Sequence, residues 1–156
     1  MGWQVSEFAQ LPIAKLTGRA LDWAVLVALG WQPDRPQDGQ LRIGNHDLAA
    51  SVHSRVHLPR YNATHSVCVV GSSSEPWFIS PSSSWEHGGP LIDKYKIWLT
   101  APADCIQLTE WAAAIDVTGQ TQLGATALEA ICRAVAAHHN PTGTARIPCR
   151  LIEVQP

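Results

Sequence analysis

Basic residues are few and scattered: 11 Lys and Arg stand against 13 Asp and Glu, for a net charge of −2. A nucleic-acid binder needs a basic stripe to neutralise phosphates, and a protein of anionic membrane surfaces needs one to meet lipid headgroups, so neither partner is expected. A long hydrophobic run is missing too. The longest, residues 20–31, contains Asp22 and falls short of the ~20 apolar residues that span a bilayer. The first residues show no charged segment followed by an apolar core, which leads to the expectation of a protein of the cytoplasm. Only four cysteines occur, Cys68, Cys105, Cys132 and Cys149. None forms the Cys-x-x-Cys pair of zinc or redox chemistry, so free, mostly buried thiols are expected in place of disulfides.

Catalytic motifs are equally absent. No Gly-x-Ser-x-Gly elbow surrounds the serines at 72–74 or 82–84, and Gly88-Gly89 lacks the Lys and Ser or Thr of a phosphate loop. His53 and His57 have the four-residue spacing of paired metal ligands, but Ser54 stands where a metalloprotease helix needs Glu. These two, with His46 and His65, read as solvated histidines of a polar stretch. His138 and His139 fit a helix C-terminus, where the macrodipole favours cations. No metal, cofactor or catalytic residue is expected.

What is present is enough apolar content, 46% of 156 residues, for a sizeable core, and one domain over 1–156 is expected. Residues 1–15 have no clean period and read as an irregular lead-in or short strand. Thr17 then stands as an N-cap, Leu16 and Leu21 have the spacing of a hydrophobic staple, and Gly30 sits at C′, which predicts a helix over 17–30. That helix is apolar nearly all round, with Arg19 and Asp22 its only charges. It needs cover on both sides, from this chain or from a second protomer, and a homo-oligomer is the expectation.

Hydrophobic periodicity nearly vanishes between 32 and 66, apart from Leu41 with Ile43 and a weak helical signal over 47–56. Residues 67–70 and 76–79 read as strands with a turn at 71–75 between them, 97–100 as another, and 111–117 as a half-buried strand in spite of its alanines. A turn is expected over 119–124. Thr126 and Glu129 make a capping box that opens a helix over 126–139, stopped by Asn140 and Pro141. The small face of that helix, Ala130, Ala134 and Ala137, suits contact with another helix. A final strand over 147–154 carries Pro148, which favours a sheet edge. The predicted class is α+β, a small, mainly antiparallel sheet packed against two helices, with a loop-rich insertion at 33–74.

The segment 80–93 is the most distinctive. A strand enters it, Pro81 and Pro90 fix φ, Gly88 and Gly89 allow positive φ or close backbone approach, and the pair Leu91-Ile92 leaves it as a strand-like exit. A loop held in one shape is where binding groups sit. Trp85 here, and Trp23 between Asp22 and Ala24, are the two of seven tryptophans that read as stacking faces, with core packing the competing reading for both.

Three blocks resemble the NinX-like proteins of tailed bacteriophages: the run from Leu16-Thr17-Gly18-Arg19 through Asp22-Trp23 to Val25; Ser80-Pro81-Ser82 through Trp85 to Gly88-Gly89-Pro90-Leu91-Ile92; and Gly124 to Leu128 with Arg133. The chain departs from that family in the length of 33–74, in Ala127 where Pro is frequent, and in Ile79 where Tyr is common. The resemblance implies a phage or prophage origin and action in the bacterial cytoplasm, and it supplies no catalytic residues. The expected function is non-enzymatic binding of a small, nucleotide-like ligand by Arg19, Asp22, Trp23, Ser80, Ser82, Trp85, Gly88, Gly89, Thr126 and Arg133. In that reading the two helix starts offer amides to an anion and Trp85 a face to a base. The alternative is a module that binds a host protein through 33–66.

Overall fold

A computed structural model of the chain describes residues 8–29, 42–43, 46–47, 60–61, 67–70, 76–115 and 120–148. Strand β1 (Phe8–Pro12) leads through a 3-10 turn at Ile13–Lys15 into helix α1 (Gly18–Ala28). The two-residue strands β2 (Arg42–Ile43), β3 (His46–Asp47) and β4 (Arg60–Tyr61) precede β5 (Val67–Val70) and β6 (Pro76–Ile79). A single-turn helix α2 (Trp85–Gly88) and a short helix α3 (Pro90–Tyr95) follow. The chain continues as β7 (Ile97–Thr100), β8 (Trp111–Ile115), β9 (Gln122–Gly124), helix α4 (Ala127–His139) and β10 (Thr144–Pro148).

Every strand pairing among the described residues is antiparallel: β1 with β10, β2 with β3, β4-β5-β6 and β7-β8-β9. The class is α+β, with the strands divided among small sheets where one sheet was expected. The lead-in is a true strand because the chain's far end pairs with it, Ala9 opposite Ile147 and Leu11 opposite Ala145. The final strand starts earlier than the sequence suggests, at Thr144, and Pro148 closes its described part. The rest of that expected strand, 149–154, lies outside the described residues. So do the turn at 71–75, most of the helical signal at 47–56, His53, His57, His65 and most of the 33–74 insertion. Asp47, at the start of that signal, is in β3.

Helix α1 buries every residue from Arg19 to Leu26, so one chain supplies the cover this helix needs. Its entry differs from the expected cap. Thr17 has the extended backbone of an N-cap, but its side chain makes no capping hydrogen bond. Gly18 follows at φ 52, a left-handed value open to glycine because it lacks Cβ, and the chain turns into the helix there. Helix α4 does have its cap: Thr126 Oγ1 accepts the Glu129 N–H at 3.1 Å. Glu129 Oε1 reaches back to the Ala125 N–H at 3.2 Å, one residue short of the usual box partner.

Helices α1 and α4 pack together, and α4 also lies on the β7-β8-β9 sheet, which takes the alanine face expected to meet a helix. The alanine side of α4 meets that sheet. A Cβ on Gly124 of β9 would come within 2.5 Å of the Ala130 nitrogen, so strand and helix backbones touch. This corrects the turn expected over 119–124: Gln122–Gly124 is a strand, and Gly124 is there for close approach. The sheet's other side shows Trp98, 62% exposed, and Leu123, 45% exposed.

The exit from the 80–93 segment needs a second correction. Leu91 and Ile92 belong to α3, not to a strand. Pro90 occupies the first helical turn, where its missing N–H costs nothing and its fixed φ suits the helix. Leu91 is buried, and Ile92 and Tyr95 pack partly against the core, which is a helical and not an alternating pattern. Lys96, at φ 54, ends α3 and turns the chain into β7.

Candidate functional site

The 80–90 segment folds onto the N-terminal ends of both long helices. Ser80 O accepts the N–H groups of Ser83 (3.0 Å) and Ser84 (2.8 Å), closing a turn, and Ser84 O accepts those of His87 (3.1 Å) and Gly88 (2.8 Å), opening α2. His87, 8% exposed, ties the two ends together: its Nδ1 accepts the Ser80 N–H at 3.1 Å. That bond requires Nδ1 to be unprotonated.

The two glycines serve contact, not positive φ. A Cβ on Gly88 would collide with the Pro81 carbonyl oxygen and come 2.8 Å from Leu128 Cδ2 of α4. Gly89, at φ −55, lies under Trp85, whose ring carbon Cε3 would be 3.4 Å from a Cβ there. Trp85 is itself 57% exposed, so its ring covers Gly89 and presents much of its surface to solvent. Trp23, by contrast, is 2% exposed and belongs to the core.

Asp22 of α1 makes the polar link to the turn. Its Oδ1 accepts the Ser82 N–H at 2.8 Å, and the Ser82 hydroxyl lies 3.4 Å from Gly18 O. The carboxyl is 1% exposed, and Oδ2 is buried with no hydrogen-bond partner among the described residues. Burial pushes the Asp22 pKa up from 3.8 to about 7, against the opposing pull of the Ser82 hydrogen bonds. The Cys132 thiol of α4 is pushed well up, first by burial and then by Asp22 and Glu129, so it is a buried thiol and not a nucleophile. Cys105 is free and exposed, unlike the buried state expected of most cysteines.

Arg133 is 7% exposed and holds three parts of the chain. Its Nε and Nη2 donate to Leu16 O at 3.1 and 3.0 Å, its Nη1 donates to Leu123 O at 2.7 Å, and Nη2 pairs with Glu129 Oε1 at 2.9 Å. Thr126 is likewise engaged as the α4 cap. The structure thus brings Asp22, Ser82 and Gly18 together at the α1 entry, joins Gly88 to the start of α4 through Leu128, and leaves Trp85 exposed. Arg19 is 3% exposed and Trp23 is in the core.

Sequence reasoning missed His87, whose partner Ser80 is visible only once the turn closes. It also missed a cluster at the far end of α4. Tyr95 Oη lies 3.0 Å from His139 Nε2, and the rings of Tyr95, His138 and His139 meet edge to face. The α4 C-terminus is capped by Asn140, whose Nδ2 donates to Ala136 O at 2.8 Å, and not by the histidines. A cavity of about 240 Å³ opens at that same end, lined by Ile115, Ala134, Ala137, His138 and Asn140 among others. None of the expected site residues lines it.

Among the described residues no group of three or more His, Cys, Asp or Glu is placed to hold a metal, and no helix is long and apolar enough to cross a membrane. A comparison with curated proteins gives no match. The family model for bacteriophage P22 NinX matches residues 12–139, which takes in both long helices and the whole 80–90 segment. The chain therefore belongs to the phage P22 NinX family, a family of phage accessory proteins.

Proposed function

We propose that the 80–90 segment is a surface platform for a small, nucleotide-like ligand, and that the protein acts by binding it without chemistry, in the cytoplasm of the infected bacterium. The observation that carries this reading is Trp85: 57% exposed, seated on Gly89, on a segment whose own hydrogen bonds fix its shape. A large aromatic face held open in water is a stacking surface, and stacking one base on such a face contributes about 1–3 kcal/mol. The buried neighbours have the supporting role. Gly88 and Pro81 anchor the segment to α4, and Asp22 anchors it to α1. Arg133 and Thr126 fix the α4 start that lies behind it.

The competing reading, a module that binds a host protein, would draw on the exposed Trp98 and Ile106 as well as the 33–66 region. Mass spectrometry of small molecules released from protein purified out of bacterial lysate separates the two. Recovery of a base-bearing compound in near-stoichiometric amount, lost from Trp85→Ala, is the expected outcome. A protein that carries no small molecule and co-purifies with one host protein would replace the platform with the protein-binding module.

A further inference from the structure

The turn at 80–84 is fastened to α1 by a carboxyl group with only one of its oxygens engaged. Asp22 Oδ1 takes the Ser82 N–H at 2.8 Å, while Oδ2 is enclosed without a hydrogen-bond partner among the described residues. A second polar contact between turn and helix is the long Ser82 Oγ to Gly18 O approach of 3.4 Å. Further hydrogen bonds of the turn run within the segment, from Ser83 and Ser84 to Ser80 O and from Ser80 to His87.

We propose that Asp22 is a proton-controlled latch: the neutral carboxyl keeps the 80–84 turn seated on α1, and ionisation of the carboxyl releases it. A neutral carboxyl can stay enclosed at the cost of one unmade hydrogen bond. An ionised one in the same place is a buried charge stabilised among the described residues by Ser82 alone, and water reaches it when the turn lifts. The shift of Asp22 to about 7 reflects that preference for the neutral form.

The charged and titratable neighbours among the described residues are few. Arg19, one turn earlier on α1, is a buried cation at 3% exposure. On α4, Glu129 and Arg133 are paired to each other at 2.9 Å, and Cys132 stays a thiol. On β10, Arg146 stands over the Phe8 ring at 4.2 Å. In the segment itself Glu86 is exposed, and His87 accepts the Ser80 N–H. Protonation of His87 would remove that acceptor and loosen the turn as pH falls, the opposite direction to Asp22.

Because Trp85 directly follows the turn, the latch would set the shape of the proposed platform, and to that extent it rests on the platform reading. The test uses ligand-free protein, so the two fail separately. Amide hydrogen exchange of the 79–90 peptide is followed by mass spectrometry at pH 6 and pH 8, with rates corrected for intrinsic chemical exchange. With the carboxyl titrating at about 7 when seated and at 3.8 when released, opening should rise about tenfold between those two pH values. Asp22→Asn should abolish the rise. An unchanged opening in the wild type, a rise that persists in Asp22→Asn, or a change of opposite sign that marks His87, overturns the latch. If Asp22→Asn does not fold, carboxyl carbon NMR of the wild type decides: a midpoint near 7 that the Ser82 amide shares is expected, and a midpoint near 4 overturns it.

Discussion

Asp22 shows what one residue costs this fold. Folded, the carboxyl keeps its proton up to about pH 7, while unfolded it loses it near 3.8, so between those values the folded state binds more protons. Stability from this group is therefore present below pH 4 and is lost as pH rises to 7, by about 4 kcal/mol in all. Urea unfolding of Asp22→Asn at pH 8 should show a protein more stable than the wild type, with the difference gone near pH 4; a wild type that stabilises from pH 4 to 7 would contradict the burial of this carboxyl. Arg133 is the opposite case, a buried charge fully engaged. Arg133→Ala leaves Leu16 O and Glu129 without their partner and should cost about 3–5 kcal/mol by the same assay. In the sequence Asp22 stood out as a charge on an apolar helix, and both residues as members of the family-like blocks and of the expected ligand set. Whether such a charge faces a ligand or a backbone carbonyl depends on a partner far along the chain, Ser82 for Asp22 and Leu16 for Arg133, and spacing does not reveal it.

At the scale of elements, the two long helices were legible because their signals are local: a staple, a capping box, an apolar face of 3.6 period. The Thr126 cap predicts that Thr126→Ala lowers the denaturation midpoint by the equivalent of about 1 kcal/mol, and an unchanged midpoint would remove the cap from the account. Helices α2 and α3 were not legible. A one-turn helix has no period to read, and Leu91-Ile92 after two glycines and a proline fits strand and helix alike. The glycines were correctly singled out, but for one of two reasons that sequence cannot separate. Close approach is the reason here, so Gly88→Ala should destabilise by about 1–3 kcal/mol through collision with the Pro81 carbonyl and Leu128, although alanine is the better helix former. A stabilised Gly88→Ala would show that the segment does not sit as tightly on α4 as described. Strand β1 was read only as an alternative because its partner, β10, comes from the far end of the chain.

Over the whole molecule, two helices and small antiparallel sheets hold the 80–90 segment against both helix entries, with Trp85 facing outward. That arrangement was legible in outline, since the sequence singled out the segment and both helix starts. It could not say which tryptophan is core and which is surface: Trp23 and Trp85 look alike until Trp23 is seen in the enclosed part of α1 and Trp85 on the exposed side of α2. Thermal unfolding of wild type and Trp85→Ala with nucleotides and cyclic nucleotides decides whether the exposed ring of Trp85 is a ligand platform. A nucleotide at 100 times its dissociation constant should stabilise the wild type by about 2.7 kcal/mol. Trp85→Ala alone should unfold within about 0.5 kcal/mol of the wild type, as a surface substitution does, and should lose about 1–3 kcal/mol of binding. A wild type that no nucleotide stabilises, or a Trp85→Ala variant that responds to ligand as the wild type does, would show that Trp85 is not a ligand platform.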